Sequence, residues 1–523
     1  MPDSSNARSP ETVAVIDIGA SAVRLVVAEL AVGRAPFVIE EAVRGVSLGK
    51  DTFSTGRIGP ATMEAALRAL EGFKQLMNEH GASRYRAVAT SAVREAANAD
   101  MFLDRVQVRA GLHVEVIDGS EESRLVYLAV RNRLAGHPAL SATHTLLVEG
   151  GGGSADITLL AGDRPKYSGV YPLGSVRMRQ NLRHWSGDRE RRVRILTRNI
   201  GNVVRDIHRD IPIQSADFLI ALGGDIRLAA QELIDAPEGS IGEVPRDLFL
   251  EFCARVEKLD EADLIDRFGL SPGDAETLVP ALLVYRALLL ETAAAGITVP
   301  HASLRVGLLV DVAGASAEGG PQGLADFSSQ VLASAESLGE KYRYDATHSR
   351  AVASLAMRLF DELKDEHGLE ARDRLLLEVA ALLHNVGVFV GLRAHHKHAQ
   401  YLIQASEIFG LSDDDRAVIA NVVRYHRRGP PQQSHLPYMA LDRLDRVRVN
   451  KLAALLRIAN ALDAEHSQKV HDLKVRAVDG GWVLEVQGIG DLAMERMTVD
   501  ARADLFQDVF GRALSWRGAG VQA

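Results

Sequence analysis

The sequence is poor in cysteine and has no long apolar run, and each absence excludes a class of protein. Cys253 is the only cysteine among the 523 residues. An internal disulfide is therefore excluded, and the chain suits a reducing compartment. With no second thiol to act with it, Cys253 is interpreted as a small helix residue. No apolar stretch approaches the ~20 residues of a membrane span, and the polar first ten residues lack an apolar signal-peptide core. We expect a cytoplasmic protein with no membrane partner.

The chain also has no excess of positive charge. Its formal net charge is −9 at pH 7, which argues against a nucleic-acid partner. Arginine is nevertheless dense over residues 177–198, where the only acidic residues are Asp188 and Glu190. Such a run is usually a solvated helix face. The other interpretation is a wall that guides a polyanion.

The length of the chain predicts several domains, roughly three or four. Residues 314–323 are small, glycine-rich and without periodicity, so we place a domain boundary there. Strand and helix patterns alternate before the boundary. Beyond it, the apolar spacing predicts helices over residues 324–338, 345–365, 371–387, 395–407, 412–427 and 446–463.

The last stretch of the chain changes pattern again. Residues 473–478 and 482–486 alternate about an Asp-Gly-Gly turn, which predicts a hairpin. A helix is predicted over residues 501–514. The expected domains are residues 1–134, 135–313, 324–470 and 471–523.

Two strand–turn–strand segments carry the strongest functional signal. Residues 146–156 read as an apolar strand, four glycines and a returning strand. Glycines let backbone N–H groups approach an anion, because no Cβ atom intervenes. Residues 12–21 form a second apolar strand that ends in an acid, a glycine and small residues. A glycine-rich hairpin with no ligand is the alternative for either segment alone. Two such segments in one chain predict a duplicated architecture with a cleft between the halves.

Candidate ligands lie at these turns and at a third one. Glu149 and Asp156 flank the four glycines, and their hard oxygen atoms suit Mg²⁺. Gly223 and Gly224 follow a buried-type strand over residues 218–222 and form a third place where backbone could meet phosphate. The candidate phosphate ligands at the three turns are Gly19, Ser21, Gly151, Gly152, Gly153, Ser154, Gly223 and Gly224.

Six short segments occur together in this chain: residues 15–19, 89–96, 119–125, 149–156, 172–177 and 304–307. In this order they resemble the exopolyphosphatase / guanosine-pentaphosphate phosphohydrolase family, a branch of the actin, heat-shock chaperone and sugar-kinase superfamily. The resemblance implies an α/β fold of two ribonuclease-H-like lobes with a phosphate-binding cleft between them. It also implies an all-α HD-like domain and a small α+β domain after the lobes.

The resemblance also implies a reaction and its residues. In that family, water attacks the terminal phosphate of inorganic polyphosphate or of the alarmone guanosine pentaphosphate. Glu122 is the implied general base, with Glu121 as the neighbouring alternative, since an acidic side chain near a turn can deprotonate water. The alternative is that Glu121 and Glu122 have no catalytic role and that their negative charge stabilises the N-terminus of a helix. The resemblance adds Arg24 and Arg94 as phosphate ligands and Asp17 as a third metal ligand beside Glu149 and Asp156. Mg²⁺ or Mn²⁺ and a homodimer are expected.

Both glycine turns depart from the family pattern. The first turn usually reads Gly-Ser-Asn-Ser, whereas this chain has Gly19-Ala20-Ser21-Ala22. The second usually reads Asp-Ile-Gly-Gly-Gly-Ser-Thr-Glu, whereas residues 149–156 begin with glutamate and end with aspartate. If these changes displace a ligand group by about 1 Å, the reaction rate can fall on the order of a hundredfold. The alternative to an enzyme is therefore a regulator that binds polyphosphate or the alarmone and has weak catalytic activity.

The C-terminal half resembles an HD-type domain without its defining doublet. Such a metal site needs His-Asp, whereas this chain has His384-Asn385. An amide is a weak neutral ligand, so a second hydrolytic centre is not expected. The remaining histidines are interpreted as structural hydrogen-bonding groups or as ligands of a transition metal. Nearby basic residues would line a channel for a long anion: Arg427, Arg428, Arg443, Arg446, Arg448 and Lys451.

Overall fold

The structure is a computed structural model that describes residues 10–31, 36–181, 189–235, 237, 239–317, 321–427, 429–478 and 480–518. It divides into two compact units, Met1–Asp326 and Phe327–Ala523. None of the described helices combines the length and the apolar character needed to cross a membrane.

The first lobe of the first unit is built on a five-stranded sheet. Its strands are β1 (Glu11–Ile18), β2 (Ala22–Leu30), β3 (Phe37–Gly45), β4 (Arg84–Ala89) and β5 (Glu115–Val116). They lie in the order β3-β2-β1-β4-β5, with β1 antiparallel to β2 and parallel to β4. The helices of this lobe are α1 (Leu48–Thr55), α2 (Pro60–Glu79), α3 (Ser91–Arg94), α4 (Ala99–Ala110) and α5 (Gly119–Arg133).

The second lobe repeats this architecture. Its strands are β6 (Thr145–Gly150), β7 (Ala155–Ala161), β8 (Arg164–Tyr171), β9 (Phe218–Leu222), β10 (Gly242–Pro245) and β11 (Gly296–Val299). The order β10-β11-β9-β6-β7-β8 contains the arrangement of the first sheet with β10 added at one edge. The prediction of two duplicated ribonuclease-H-like lobes is confirmed. The helices are α6 (Ser175–Asn181), α7 (Arg189–Asp210), α8 (Gly224–Ile234), α9 (Arg246–Val256), α10 (Glu261–Phe268), α11 (Pro272–Glu291) and α12 (Leu304–Ala317).

In each lobe, a long helix buries one apolar stripe in the hydrophobic core. In α2, residues such as Leu67, Leu70 and Phe73 recur at helical spacing and are buried. In α7, the buried residues are Leu196, Ile200, Val204 and Ile207. The arginines of α7 occupy the other face, and those at residues 191, 192, 194 and 198 are exposed. The arginine-rich stretch is thus largely a solvated helix face, and its residues 182–188 lie outside the described part of the chain.

The second unit is mainly helical and ends in a small sheet. Its helices are α13 (Pro321–Lys341), α14 (Ala346–Glu362), α15 (Lys364–His367), α16 (Ala371–Leu383), α17 (His395–Gln404), α18 (Asp413–Arg424), α19 (Leu436–Met439), α20 (Arg443–Ala461), α21 (Ala493–Arg502) and α22 (Asp504–Phe510). The sheet contains β12 (Val470–Val478), β13 (Gly481–Gly488) and β14 (Ala513–Gly518), in that order. The predicted hairpin is therefore present as β12 and β13.

Two secondary-structure predictions were wrong in part. The helix expected over residues 501–514 ends at Phe510, and the residues after it form β14, which pairs in parallel with β13. The stretch over residues 314–323 was expected to be irregular, but α12 continues to Ala317 and α13 begins at Pro321. Alanine and serine in these segments are compatible with helix, so the glycines alone misled the prediction.

Candidate active site

A cavity of about 370 Å³ in the first unit is lined by residues from both lobes. The sequence-predicted residues that line it come from β1, β2, α5, β6, β7, α8 and the turns between strands. They are Asp17, Gly19, Ser21, Arg24, Glu122, Glu149, Gly151, Gly152, Gly153, Ser154, Asp156, Gly223 and Gly224. Glu121 and Arg94 are not among the lining residues. Residues far apart in sequence therefore converge on one site, as the two turns predicted.

The two glycine turns present unpaired backbone N–H groups. The first glycine turn (residues 19–21) is closed by a 3.1 Å hydrogen bond from Gly19 N–H to the Ala22 carbonyl. The second glycine turn (residues 151–154) is closed by a 2.9 Å bond from Gly151 N–H to the Ser154 carbonyl. Within the described ranges, the remaining N–H groups of both turns donate to no protein acceptor: Ala20, Ser21, Gly152, Gly153 and Ser154. Such groups favour an anion.

Glu122 faces the cavity because of how α5 begins. The Asp118 side chain accepts a 2.9 Å hydrogen bond from Glu121 N–H and caps the helix, which therefore starts at Gly119 and contains both glutamates. Adjacent helical residues point about 100° apart, so only one of the two glutamates faces inward. Glu122 Oε2 is buried without a hydrogen-bond partner among the described residues. Burial raises the Glu122 pKa to about 7, with Arg94 opposing and Asp17 contributing.

Glu121 lies outside the cavity in an ion-pair network. Its carboxylate is 2.7 Å from Arg124 Nε and 2.9 Å from Arg86 Nη2. Burial acts to raise the Glu121 pKa, but these two arginines outweigh it, and the pKa is lowered overall. Both oxygen atoms are thus engaged by protein cations, which favours Glu122 as the base.

Arg94 also contacts the protein rather than the cavity. Its Nη1 donates a 2.6 Å hydrogen bond to the Ile117 carbonyl and lies 3.8 Å from Glu122 Oε2. The predicted role of Arg94 as a phosphate ligand stays a prediction, and in this structure its guanidinium lies beside Glu122.

Two arginines that sequence reasoning missed line the cavity beside Arg24. They are Arg227 on α8 and Arg305 at the start of α12. Arg305 Nη1 is 3.6 Å from Asp17, whereas no carboxylate of the described chain lies within 4 Å of the Arg227 guanidinium. Burial lowers the pKa of both, and the nearby Arg24 lowers both further. Arg24, Arg227 and Arg305 repel one another, and a bound polyanion would offset this repulsion. Arg305 could have been predicted from the sequence, because it belongs to the family segment at residues 304–307.

Six carboxylates line the cavity: Asp17, Glu122, Glu149, Asp156, Asp225 and Asp274. Glu149 and Asp156 are paired across β6 and β7, and Asp17 and Glu122 lie on the other lobe. Burial, with Glu122 and Asp17 adding to it, raises the Glu149 pKa to about 8. Glu149 Oε2 has no hydrogen-bond partner among the residues that the structure describes. Within those same residues, no three His, Cys, Asp or Glu side chains are arranged to hold a metal ion unaided.

The histidines of the second unit form hydrogen-bonded pairs in its interior. His348 Nδ1 is 2.7 Å from Asp463 Oδ2, and His348 Nε2 is 3.2 Å from His384 Nε2. His395 and His426 approach to 3.4 Å through their Nε2 atoms. Burial lowers the His384 pKa to about 3. These contacts support the structural interpretation of the histidines.

The basic channel expected in this unit is only partly available to a ligand. Arg448 contacts Asp373 at 2.6 Å and Asp445 at 2.7 Å. Lys451 donates a hydrogen bond to the His367 carbonyl, and Arg446 donates to the Leu441 carbonyl. Arg428 lies outside the described residues. Several of the predicted channel residues therefore hold the helices together.

Two duplicated α/β lobes line a cavity with clustered arginines and with N–H groups that donate to no acceptor in the described part of the chain, an arrangement typical of proteins that bind anionic ligands. Residues 26–316 match the Ppx/GppA phosphatase family, and residues 332–491 match Ppx/GppA phosphatase, domain III. The chain belongs to the Ppx/GppA phosphatase family, and the resemblance inferred from the six segments is confirmed.

One solved structure supports the two-lobed fold. An exopolyphosphatase from Cytophaga hutchinsonii has a TM-score of 0.54 and 22% identity, and the match covers 58% of this chain and 98% of that chain. A Ppx/GppA family member from Aquifex aeolicus has 26% identity and a TM-score of 0.49, and the match covers 58% of this chain and 98% of that chain.

Proposed function

We propose that the chain is an exopolyphosphatase, which hydrolyses the terminal phosphate of inorganic polyphosphate and releases orthophosphate. One observation carries this proposal. Three arginines, the buried carboxylate of Glu122 and N–H groups that donate to no acceptor in the described ranges line one cavity. The N–H groups and arginines suit a chain of phosphates, and a carboxylate with a pKa raised to about 7 is matched to base catalysis near neutral pH.

In the proposed reaction, the ionised Glu122 carboxylate accepts a proton from a water molecule. The water oxygen bonds to the terminal phosphorus, and the bond from that phosphorus to the bridging oxygen breaks. The electron pair stays on the shortened phosphate chain. Arg24, Arg227, Arg305 and the N–H groups of the two glycine turns stabilise the charge of the transferred phosphoryl group. Arg94 is proposed to orient Glu122 from outside the cavity.

The carboxylates fit a divalent cation such as Mg²⁺ or Mn²⁺. Glu149 Oε2 is buried without a hydrogen-bond partner among the described residues, and the acidic side chains repel one another. Oxygen donors suit Mg²⁺, which often binds through one or two carboxylates together with substrate phosphates. Asp17, Glu149 and Asp156 would hold it, and it would neutralise phosphate charge. The substrate would supply further oxygen ligands, since the protein side chains are not arranged to enclose an ion alone.

Guanosine pentaphosphate is a second candidate substrate, and one observation favours it. Leu228, Leu270 and Thr277 line the same cavity as the glycine turns. Inorganic polyphosphate has no apolar group to contact these leucines, whereas a nucleoside does. If the nucleoside contacted Leu228 and Leu270, its phosphates would extend toward the arginines of the same cavity.

The test compares orthophosphate release from long-chain polyphosphate and from guanosine pentaphosphate, with Mg²⁺ or with EDTA. We expect Mg²⁺-dependent release that EDTA abolishes, with a higher kcat/KM for polyphosphate. A higher kcat/KM for guanosine pentaphosphate would replace the first substrate with the second. Tight binding of both compounds without any release would contradict the enzymatic proposal and favour a regulator. Leu228→Asn serves as a control, because it should weaken only the use of the nucleoside substrate.

A further inference from the structure

Arg177 connects the second glycine turn to the opposite lobe. It lies on α6 of the second lobe, and its Nε donates a 2.6 Å hydrogen bond to the Gly153 carbonyl. The same guanidinium stacks 4.2 Å above the Phe53 ring and pairs with the Glu95 carboxylate. Phe53 and Glu95 belong to the first lobe. One side chain therefore contacts the turn and two residues across the cleft.

The start of α6 holds the carbonyl side of the second glycine turn. Ser175 N–H donates a 3.0 Å bond to the Gly151 carbonyl, and Arg177 N–H donates a 3.0 Å bond to the Gly152 carbonyl. The Arg177 side chain also donates to the Gly153 carbonyl. Residues 175–177 therefore hold the carbonyls of Gly151, Gly152 and Gly153 in place. The N–H groups of Gly152 and Gly153 then remain for an anion, since the described chain offers them no acceptor.

The second glycine turn also fits closely against the first lobe. A Cβ atom at Gly152 would lie 3.0 Å from the Ala20 Cβ and 3.2 Å from Ser21 Oγ. A Cβ atom at Gly153 would overlap Ser91 and would lie 2.7 Å from the Phe53 ring. The turn thus packs against the first lobe with no room for a side chain at Gly152 or Gly153. Separating the lobes would break the Arg177–Glu95 pair and remove Arg177 from Phe53.

We propose that Arg177 is a positioning residue that fixes the second glycine turn for phosphate binding when the cleft is closed, through Gly153 on one side and Phe53 and Glu95 on the other. Arg177 does not line the cavity, so it acts through the turn rather than on the substrate. This proposal rests on the proposed phosphatase function for its kinetic consequence only. The packing of the second glycine turn against Arg177 and the first lobe can be measured without any phosphatase activity.

The first experiment measures hydrogen exchange of the backbone amides over residues 150–154 with tripolyphosphate in EDTA, without turnover. In the wild type, tripolyphosphate should slow this exchange at least about tenfold. In Arg177→Ala, that protection should be lost, while exchange in β9 and α11 is unchanged. Arg179→Ala is the matched control. Arg179 lies on the same helix, and its ion pairs with Glu261 and Glu276 stay within the second lobe.

The second experiment measures steady-state kinetics of the same variants. Misplacement of the turn should lower kcat of Arg177→Ala by about 10- to 100-fold, with a smaller change in KM, and Arg177→Lys should recover only part of the loss. Adding Glu95→Gln to Arg177→Ala should cause little further loss, because both changes remove one interaction. Equal protection and equal kcat in Arg177→Ala and Arg179→Ala would overturn the proposal. Absence of any wild-type turnover would contradict the phosphatase function and leave the exchange experiment decisive for Arg177.

Discussion

Glu122 Oε2 lies 3.8 Å from Arg94 Nη1, and the same Nη1 atom donates a 2.6 Å hydrogen bond to the Ile117 carbonyl. The guanidinium is therefore anchored to the protein backbone while it faces the proposed base. An anchored cation at this distance restrains the carboxylate and limits how far burial raises the Glu122 pKa. Arg94 thus tunes the proposed general base without lining the cavity.

The first prediction concerns the pH dependence of the reaction. Glu122 must be ionised to accept a proton, so kcat/KM should rise with pH through about 7, its raised pKa. Arg94→Met removes the charge that lowers this pKa. The acid limb of the pH–rate profile should then move to higher pH by on the order of one pH unit. Steady-state assays between pH 5 and 9 measure this shift, and coincident profiles for wild type and variant would contradict the role of Arg94.

The second prediction concerns the arginines that line the cavity. Arg227→Gln and Arg305→Gln each remove a cation from the proposed phosphate site. Each should raise KM for polyphosphate about tenfold, which corresponds to the loss of one charge-assisted hydrogen bond. The exposed Arg192 of α7 provides a control, because Arg192→Gln changes the net charge equally. If all three variants show the same KM, the arginines act only through overall charge.

The third prediction concerns stability and Asp225, which lines the cavity next to Arg227. Burial, with Asp274 contributing, raises the Asp225 pKa to about 7 from an ordinary value of 3.8. Between these values the folded state binds a proton that the unfolded state releases. The contribution of this group to stability is therefore present below about pH 4 and is lost as pH rises through about 7.

Asp225→Asn stays neutral and should not suffer this loss. Its thermal unfolding temperature should exceed that of the wild type at pH 8 and equal it near pH 4. Scanning calorimetry in EDTA without phosphate measures both values. Asp274→Asn is the companion variant and should show a smaller gain, since it removes only the neighbouring charge. An unfolding temperature of Asp225→Asn below the wild type at pH 8 would contradict the assigned cause.

The features that sequence could predict are local ones. The strands around both glycine turns are apolar runs interrupted by glycine and small polar residues, so β1, β2, β6 and β7 follow from pattern alone. The six family segments then gave the duplicated lobes. By contrast, β14 forms through parallel pairing with β13 across two intervening helices. No local pattern distinguishes such a strand from a helix end.

The site residues on the turns and strands were predicted from the sequence, and so was Glu122, whereas two arginines on helices were missed. Arg227 and Arg305 reach the cavity from α8 and α12, and their convergence depends on tertiary packing. The choice between Glu121 and Glu122 depends on where α5 starts, which the Asp118 cap determines. Arg177 belonged to a recognised segment, but its contacts with Phe53 and Glu95 exist only in the folded lobes.

The most direct measurement of the proposed mechanism is orthophosphate release from long-chain polyphosphate by wild type, Glu122→Gln and Glu121→Gln. Glu122→Gln keeps the size of the side chain and removes the base, so release should fall by at least about a hundredfold, while tripolyphosphate still binds. Glu121→Gln should lose less than about tenfold, because Glu121 contacts Arg86 and Arg124 outside the cavity. Undiminished release by Glu122→Gln, or a collapse in Glu121→Gln alone, would contradict the assignment of Glu122 as the general base.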